Sequence, residues 1–183
     1  YYALGWNGAA YGMVGRMPNQ SAQDPPNNPS NSYSEPNAAH ADLDGSGYES
    51  LVTIDNDADL MVYKYDAASP THFRIVYEED NEGQSEGSLE AVGDLDGDGW
   101  TDVAVSTNAS QVWVYRNAKS TSFSTSSLTA PSASLKLSTG TSTYPKRLAI
   151  GDLDGDGQPD IAATCYGSNA TGTTLAMFRN TTS

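Results

Sequence analysis

Cysteine is almost absent: Cys165 stands alone, so no disulfide can close within the chain. It lies in an apolar run, 161–165, where a buried small hydrophobe is the expected role. A catalytic thiol needs a base beside it, and nothing in the sequence brings His40 or His72, the only histidines, to that place. Basic residues are scarce too: nine Lys and Arg face 23 Asp and Glu, for a net charge of −14. That balance excludes nucleic acid as a partner, since its binding needs a basic surface. No apolar run nears the roughly 18 residues of a membrane span, and mean hydropathy is −0.51. No secretory leader is visible, and the chain opens on Tyr1 and Tyr2 without Met, as a processed or incompletely known chain would. No Ser/His/Asp order, phosphate loop or zinc-ligand spacing appears, so no enzymatic role is expected. The acidic stretch of Glu78, Glu79, Asp80, Glu82 and Glu86 reads as a solvated loop between repeats.

What the chain holds instead is aspartate and glycine in a fixed order. Residues 93–105 read GDLDGDGWTDVAV, with Asp94, Asp96 and Asp98 at alternate positions and Asp102 further on. Alternate carboxylates in so short a loop repel one another unless a multivalent cation lies among them. Hard oxygen ligands at loop positions 1, 3, 5 and 9, with the backbone carbonyl of Trp100 at position 7, suit Ca2+. Residues 151–162 repeat the pattern with Asp152, Asp154, Asp156, Gln158 and Asp160. Residues 42–52 hold a weaker copy: Asp42, Asp44, Ser46 and Tyr48 take positions 1 to 7, Ser50 replaces the last aspartate, and Glu49 beside it offers compensation. Two full calcium sites and one weaker site are therefore expected. An EF-hand is excluded, because it needs a Glu at position 12 and a following helix, whereas position 12 is Val105 in one loop and Ala163 in the other. The ten loop aspartates account for much of the acidity, and three divalent ions would reduce the net charge to about −8.

The loops belong to a longer repeat, with starts at Asp42, Asp94 and Asp152 spaced 52 and 58 residues apart. Each repeat carries a short strand into the loop (37–41, 89–93, 147–151) and a second out of it (51–54, 103–106, 161–165). A third strand follows a turn (60–66, 111–117, 174–180), and these three segments align end to end. A fourth closes the first two repeats, at 73–77 and 122–128. Several runs are apolar at nearly every position, as at Val112, Trp113, Val114 and Tyr115, which suits strands buried on both faces. Upstream, residues 1–17 are aromatic and glycine-rich and predict one or two short strands. Residues 18–37 are rich in proline and asparagine and predict an extended linker.

This pattern resembles the FG-GAP or VCBS repeat of integrin-type β-propellers, most specifically over 94–102 and 152–160 and more loosely over 38–183. The resemblance implies an all-β fold of four-stranded propeller blades, with a DxDxDGxxD calcium loop between the first two strands of each. The blades would span 38–88, 89–146 and 147–183. Propellers use about four to eight blades, and three leave two apolar faces open. The third repeat also lacks a fourth strand, while a spare strand lies in residues 1–17. The N-terminal strand is thus expected to complete the third blade, in its own chain or in a neighbour, since a linker of roughly 20 residues can span up to about 66 Å.

The function so implied is an extracellular, calcium-stabilised structural or adhesive protein that joins other copies head to tail into an oligomer or filament. Sequons at Asn19, Asn108, Asn169 and Asn180 point to glycosylation and an extracellular setting. Two alternatives remain: a piece of a longer propeller protein, or a lectin-like module that binds glycans through Trp6, Trp100 or Trp113, of which Trp113 reads better as core and Trp100 as exposed. In the calcium reading, loss of Asp96 or Asp154 destabilises far more than loss of Asp44.

Overall fold

A computed structural model of the protein describes residues 2–6, 11–16, 38–54, 60–69, 72–79, 90–107, 109–130, 132, 135–140, 143–167 and 173–181. Within them the chain is all β, with no α-helix. Two N-terminal strands, β1 (Tyr2–Trp6) and β2 (Tyr11–Arg16), pair with each other as an antiparallel hairpin. Three larger antiparallel sheets follow. The first runs β3 (Ala38–Ala41), β4 (Ser50–Ile54), β5 (Leu60–Tyr65) and β6 (Phe73–Glu79), in that spatial order. The second runs β7 (Glu90–Gly93), β8 (Asp102–Thr107) and β9 (Gln111–Asn117), with β10 (Leu128–Thr129) and β11 (Lys136–Ser138) both pairing along β9. The third runs β12 (Thr143–Gly151), β13 (Asp160–Gly167) and β14 (Thr173–Phe178). Each sheet is a meander, and each aspartate loop joins its first two strands.

Three expectations need correction. The fourth strand of the second sheet is not 122–128 but two short pieces, β10 and β11. Serines fold 124–127 into a turn ahead of β10: Ser127 Oγ accepts the Ser124 N–H at 2.8 Å, and the Ser127 N–H turns back to the Ser124 carbonyl at 2.9 Å. Such local bonds compete with a strand ladder. The lead-in strand of the third sheet starts at Thr143 rather than 147, passing Pro145 at a register irregularity on the sheet edge, where a missing N–H is tolerated. Glu78 and Glu79 belong to β6, so the acidic stretch begins inside a strand. Asp80, Glu82 and Glu86, like the linker 18–37, lie outside the described residues.

The sheets pack face to face, as propeller-like blades do. Between the first and second lie Val52, Val62, Val103, Val105, Trp113 and Tyr115, with Leu43, Phe123 and Leu128 at the margins. Between the second and third lie Ala104, Val112 and Val114 against Ile161, Ala163, Cys165 and Phe178. Strands β8 and β9 are therefore buried on both faces, as their unbroken apolar runs require. Full burial stabilises each of these valines and leucines by roughly 1.5–3 kcal/mol. Cys165 is a buried free thiol in this second core, and burial raises its pKa. Gly93 lies close against the third sheet: a Cβ there would sit 2.7 Å from Ile150 Cγ2.

Candidate metal centres

In each loop the carboxylate at position 1 captures two backbone N–H groups, that of position 6 and one from position 4 or 5. At position 1, Asp94 accepts the N–H groups of Asp98 (3.0 Å) and Gly99 (2.8 Å). Asp42 takes those of Ser46 (3.1 Å) and Gly47 (2.7 Å), and Asp152 those of Gly155 (2.7 Å) and Gly157 (2.9 Å). This curl needs left-handed backbone at positions 4 and 6, as at Gly97 (φ 74°) and Gly99 (φ 88°), which is why glycine recurs there. The carboxylate at position 5 turns to the N–H two residues on: Asp98 to Trp100 and Asp156 to Gln158, both at 2.9 Å.

Position 9 is the buried end of each full site. Asp102 accepts the Leu95 N–H at 2.9 Å and the Asn117 N–H at 2.8 Å, tying the loop entrance to the end of β9. Asp160 does the same with Leu153 (3.1 Å) and Asn180 (2.8 Å). Ser50 replaces this carboxylate in the first loop, and its buried hydroxyl has no hydrogen-bond partner among the described residues.

The donor sets of the second and third loops fit a hard cation. Carboxylate oxygens of Asp94, Asp96 and Asp102 lie within 4.8 Å of one another, as do those of Asp152, Asp154 and Asp156. Asp96 Oδ1 is buried without a hydrogen-bond partner, an acceptor that a bound cation would satisfy. Burial, with the charges of Asp96 and Asp98 beside it, pushes Asp102 up to about 6 even though two backbone N–H groups oppose the shift. Burial and then the charge of Asp98 raise Asp96 as well. Asp98 and Asp160 stand outside these clusters: Asp98 faces Lys119 Nζ at 3.1 Å, and Asp160 clamps backbone.

Residues beyond the loops complete each site. Strand register makes Tyr63, Tyr115 and Phe178 equivalent, since they pair with Leu51, Val103 and Ile161, the first residues after each loop. The first segment thus sits one residue out of the end-to-end alignment, and Lys64 matches Arg116 and Arg179. Each of these cations meets position 3: Lys64 the Asp44 carboxylate, Arg116 Nη1 Asp96 Oδ2 at 3.7 Å, and Arg179 Nε Asp154 Oδ2 at 2.5 Å. Nothing in the loop sequence signals them, although the Arg-Asn ending shared by two strands is a trace of it. Glu49 gives no compensation in the first loop; it pairs with His40 Nδ1 at 2.7 Å.

Neighbouring sheets are joined through the loops. Asn117 Nδ2 donates to the carbonyls of Leu43 in the preceding loop (2.7 Å) and Thr101 in its own (3.0 Å). Asn180 Nδ2 repeats this with Leu95 (2.6 Å) and Pro159 (3.2 Å). Asn180 Nδ2 is thus engaged by two loop carbonyls in the folded chain; Asn19, Asn108 and Asn169 lie outside the described residues. Trp100 is not exposed as expected. Its ring covers Gly45, with Cη2 3.4 Å from where a Cβ would stand, and Gln158 Oε1 takes the same place over Gly97. Trp113 is core, as expected, with Lys136 Nζ 4.0 Å from its ring centroid. Trp6 lies in β1, and its side chain is outside the described part.

Three antiparallel sheets, packed face to face and each opening on an aspartate loop, are consistent with propeller-like blades. Residues 94–163, from the first aspartate of the second loop into β13, match the family model of the FG-GAP-like repeat. Over that stretch the chain is similar to a repeat class that generally binds Ca2+, and the stretch holds the Asp94, Asp96 and Asp102 cluster. Neither the curated proteins nor the solved structures contain a significant match to the chain.

Proposed function

We propose that the protein is a calcium-stabilised structural or adhesive module of the extracellular space that joins other copies of itself head to tail. One observation carries this reading: the contacts between successive sheets recur, and the third sheet has the receiving half without an occupant among the described residues. Leu43 is fully covered where the second sheet caps the first, whereas its counterpart Leu153 is 46% exposed. Gly45 and Gly97 lie under Trp100 and Gln158, but nothing stands within 4 Å of a Cβ built on Gly151 or Gly155. On the same outer face Tyr166, Leu175 and Met177 are each more than half exposed.

The matching half is at the other end. Tyr48 and Tyr65 hold the positions of Trp100 and Asn117 in the first sheet and are 74% and 62% exposed. These six side chains are the exposed large hydrophobics among the described residues, and they divide between the two ends. A second copy seated with Tyr48 over Gly155 would repeat the loop contact of Trp100 over Gly45, beside Met61 and Tyr63, which are already buried on that sheet. The geometry is heterologous and closes as a ring or runs on as a filament. The outer edge of β14 offers strand addition to a neighbour's N-terminal segment. In this chain β1 and β2 pair with each other, so donation would engage that hairpin in the neighbour.

Sedimentation of the calcium-loaded protein across a concentration series tests this. Mass is expected to rise with concentration and to stay monomeric in Leu175→Glu/Met177→Glu, with the melting transition retained. A wild-type chain that stays monomeric throughout sinks the reading. A longer polypeptide supplying the next repeat would cover the same face with the same contacts. In that case a chain extended by that repeat is monomeric and the present one is not.

A further inference from the structure

We propose that the first aspartate loop holds no calcium and that the ammonium group of Lys64 closes it in the ion's place, so that the chain binds two ions rather than three. The proposal rests on the calcium reading of the other two loops. Lys64 Nζ donates to the Asp44 carboxylate at position 3 and to Ser46 Oγ, at position 5, at 3.2 Å. It thereby bridges two of the places from which a cation would be held.

Burial separates this contact from the related ones. The Lys64 side chain is 15% exposed and that of Asp44 8%, against 45% for Arg116 and 61% for Arg179. An ammonium is a compact point charge on a flexible stem, whereas a guanidinium is a broad planar fork. Lys64 accordingly lies buried in its loop, whereas Arg116 meets position 3 of its loop, and Arg179 positions 3 and 5 of its own, from more exposed places.

Charge points the same way. The first loop holds two carboxylates, Asp42 and Asp44, with Lys64 paired to the second, a net of −1. A divalent ion added there would leave a net positive loop. The second loop holds four carboxylates against Arg116 and Lys119, and the third four against Arg179, so both keep at least two negative charges for an ion. Glu49 does not alter the count, being turned to His40. Ser46 and Ser50 bring neutral hydroxyls where the other loops bring carboxylates, and the first loop is not among the carboxylate clusters that could hold a metal.

Calcium content after gel filtration in calcium buffer, with melting in calcium and in chelator, decides the matter. Wild type is expected to retain two ions per chain; three overturns the proposal. Asp44→Asn should keep two ions and lower the melting temperature equally with and without chelator. Loss of an ion in that variant, or a melting deficit confined to calcium buffer, also overturns it. In Lys64→Gln/Ser46→Asp/Ser50→Asp the full ligand set is restored and the content should rise to three; a folded variant that stays at two refutes the role given to Lys64. Should wild type retain no calcium, the reading of the second and third loops fails, while the equal melting loss of Asp44→Asn still reports on Lys64.

Discussion

Asn117 and Asn180 make the same three bonds one repeat apart: a backbone N–H to the position 9 aspartate and a side-chain amide to two loop carbonyls. One of those carbonyls belongs to the sheet before. Alanine at 117 leaves the carbonyls of Leu43 and Thr101 without this donor in a buried place, so Asn117→Ala should cost about 1–3 kcal/mol, read from the urea midpoint. Asp44 is not the expendable residue that the loop pattern makes it. With Lys64 largely buried against it, Asp44→Ala strands an ammonium at a cost of roughly 3 kcal/mol. Denaturation should place that variant beside Asp96→Ala, not well above it in stability. The aspartates were legible in the sequence because a loop ligand set is local, with all its spacings held by covalent geometry. Lys64 was not, because its partner stands 20 positions away and strand register alone brings the two together.

At the scale of the element, β4, β5, β8, β9 and β13 fall within a residue or two of where their β-branched and aromatic runs place them. The late start of β10 was hidden by Ser124 and Ser127, whose bonds fold the backbone into a turn before it can pair. Two glycines that precede equivalent loops test how the sheets meet. Gly93→Ala drives a methyl into Ile150 and should cost about 1–3 kcal/mol by overpacking. Gly151→Ala faces open space and should shift the melting temperature little. Equal losses in the two variants would mean that the second and third sheets do not approach as described.

For the whole molecule, the proposed calcium binding makes folding depend on ions in the acidic loops. Each site filled at about a hundred times its dissociation constant adds roughly 2.7 kcal/mol, so removal from two sites should cost about 5 kcal/mol. Calorimetry with excess chelator should show the melting temperature fall; an unchanged transition would mean that the loops close without metal. The sequence by itself determined what depends on neighbours along the chain: the all-β character, the repeat and the placing of the aspartate loops. Periodicity and spacing are local quantities, and these features are local consequences. Only the tertiary structure decided which loop is closed by a lysine, where each asparagine crosses to the next sheet, why Trp100 is covered, and which face is left open. Those depend on register and on the stacking of sheets, where residues 74 and 85 positions apart meet through a single hydrogen bond. Composition carries no record of such distances.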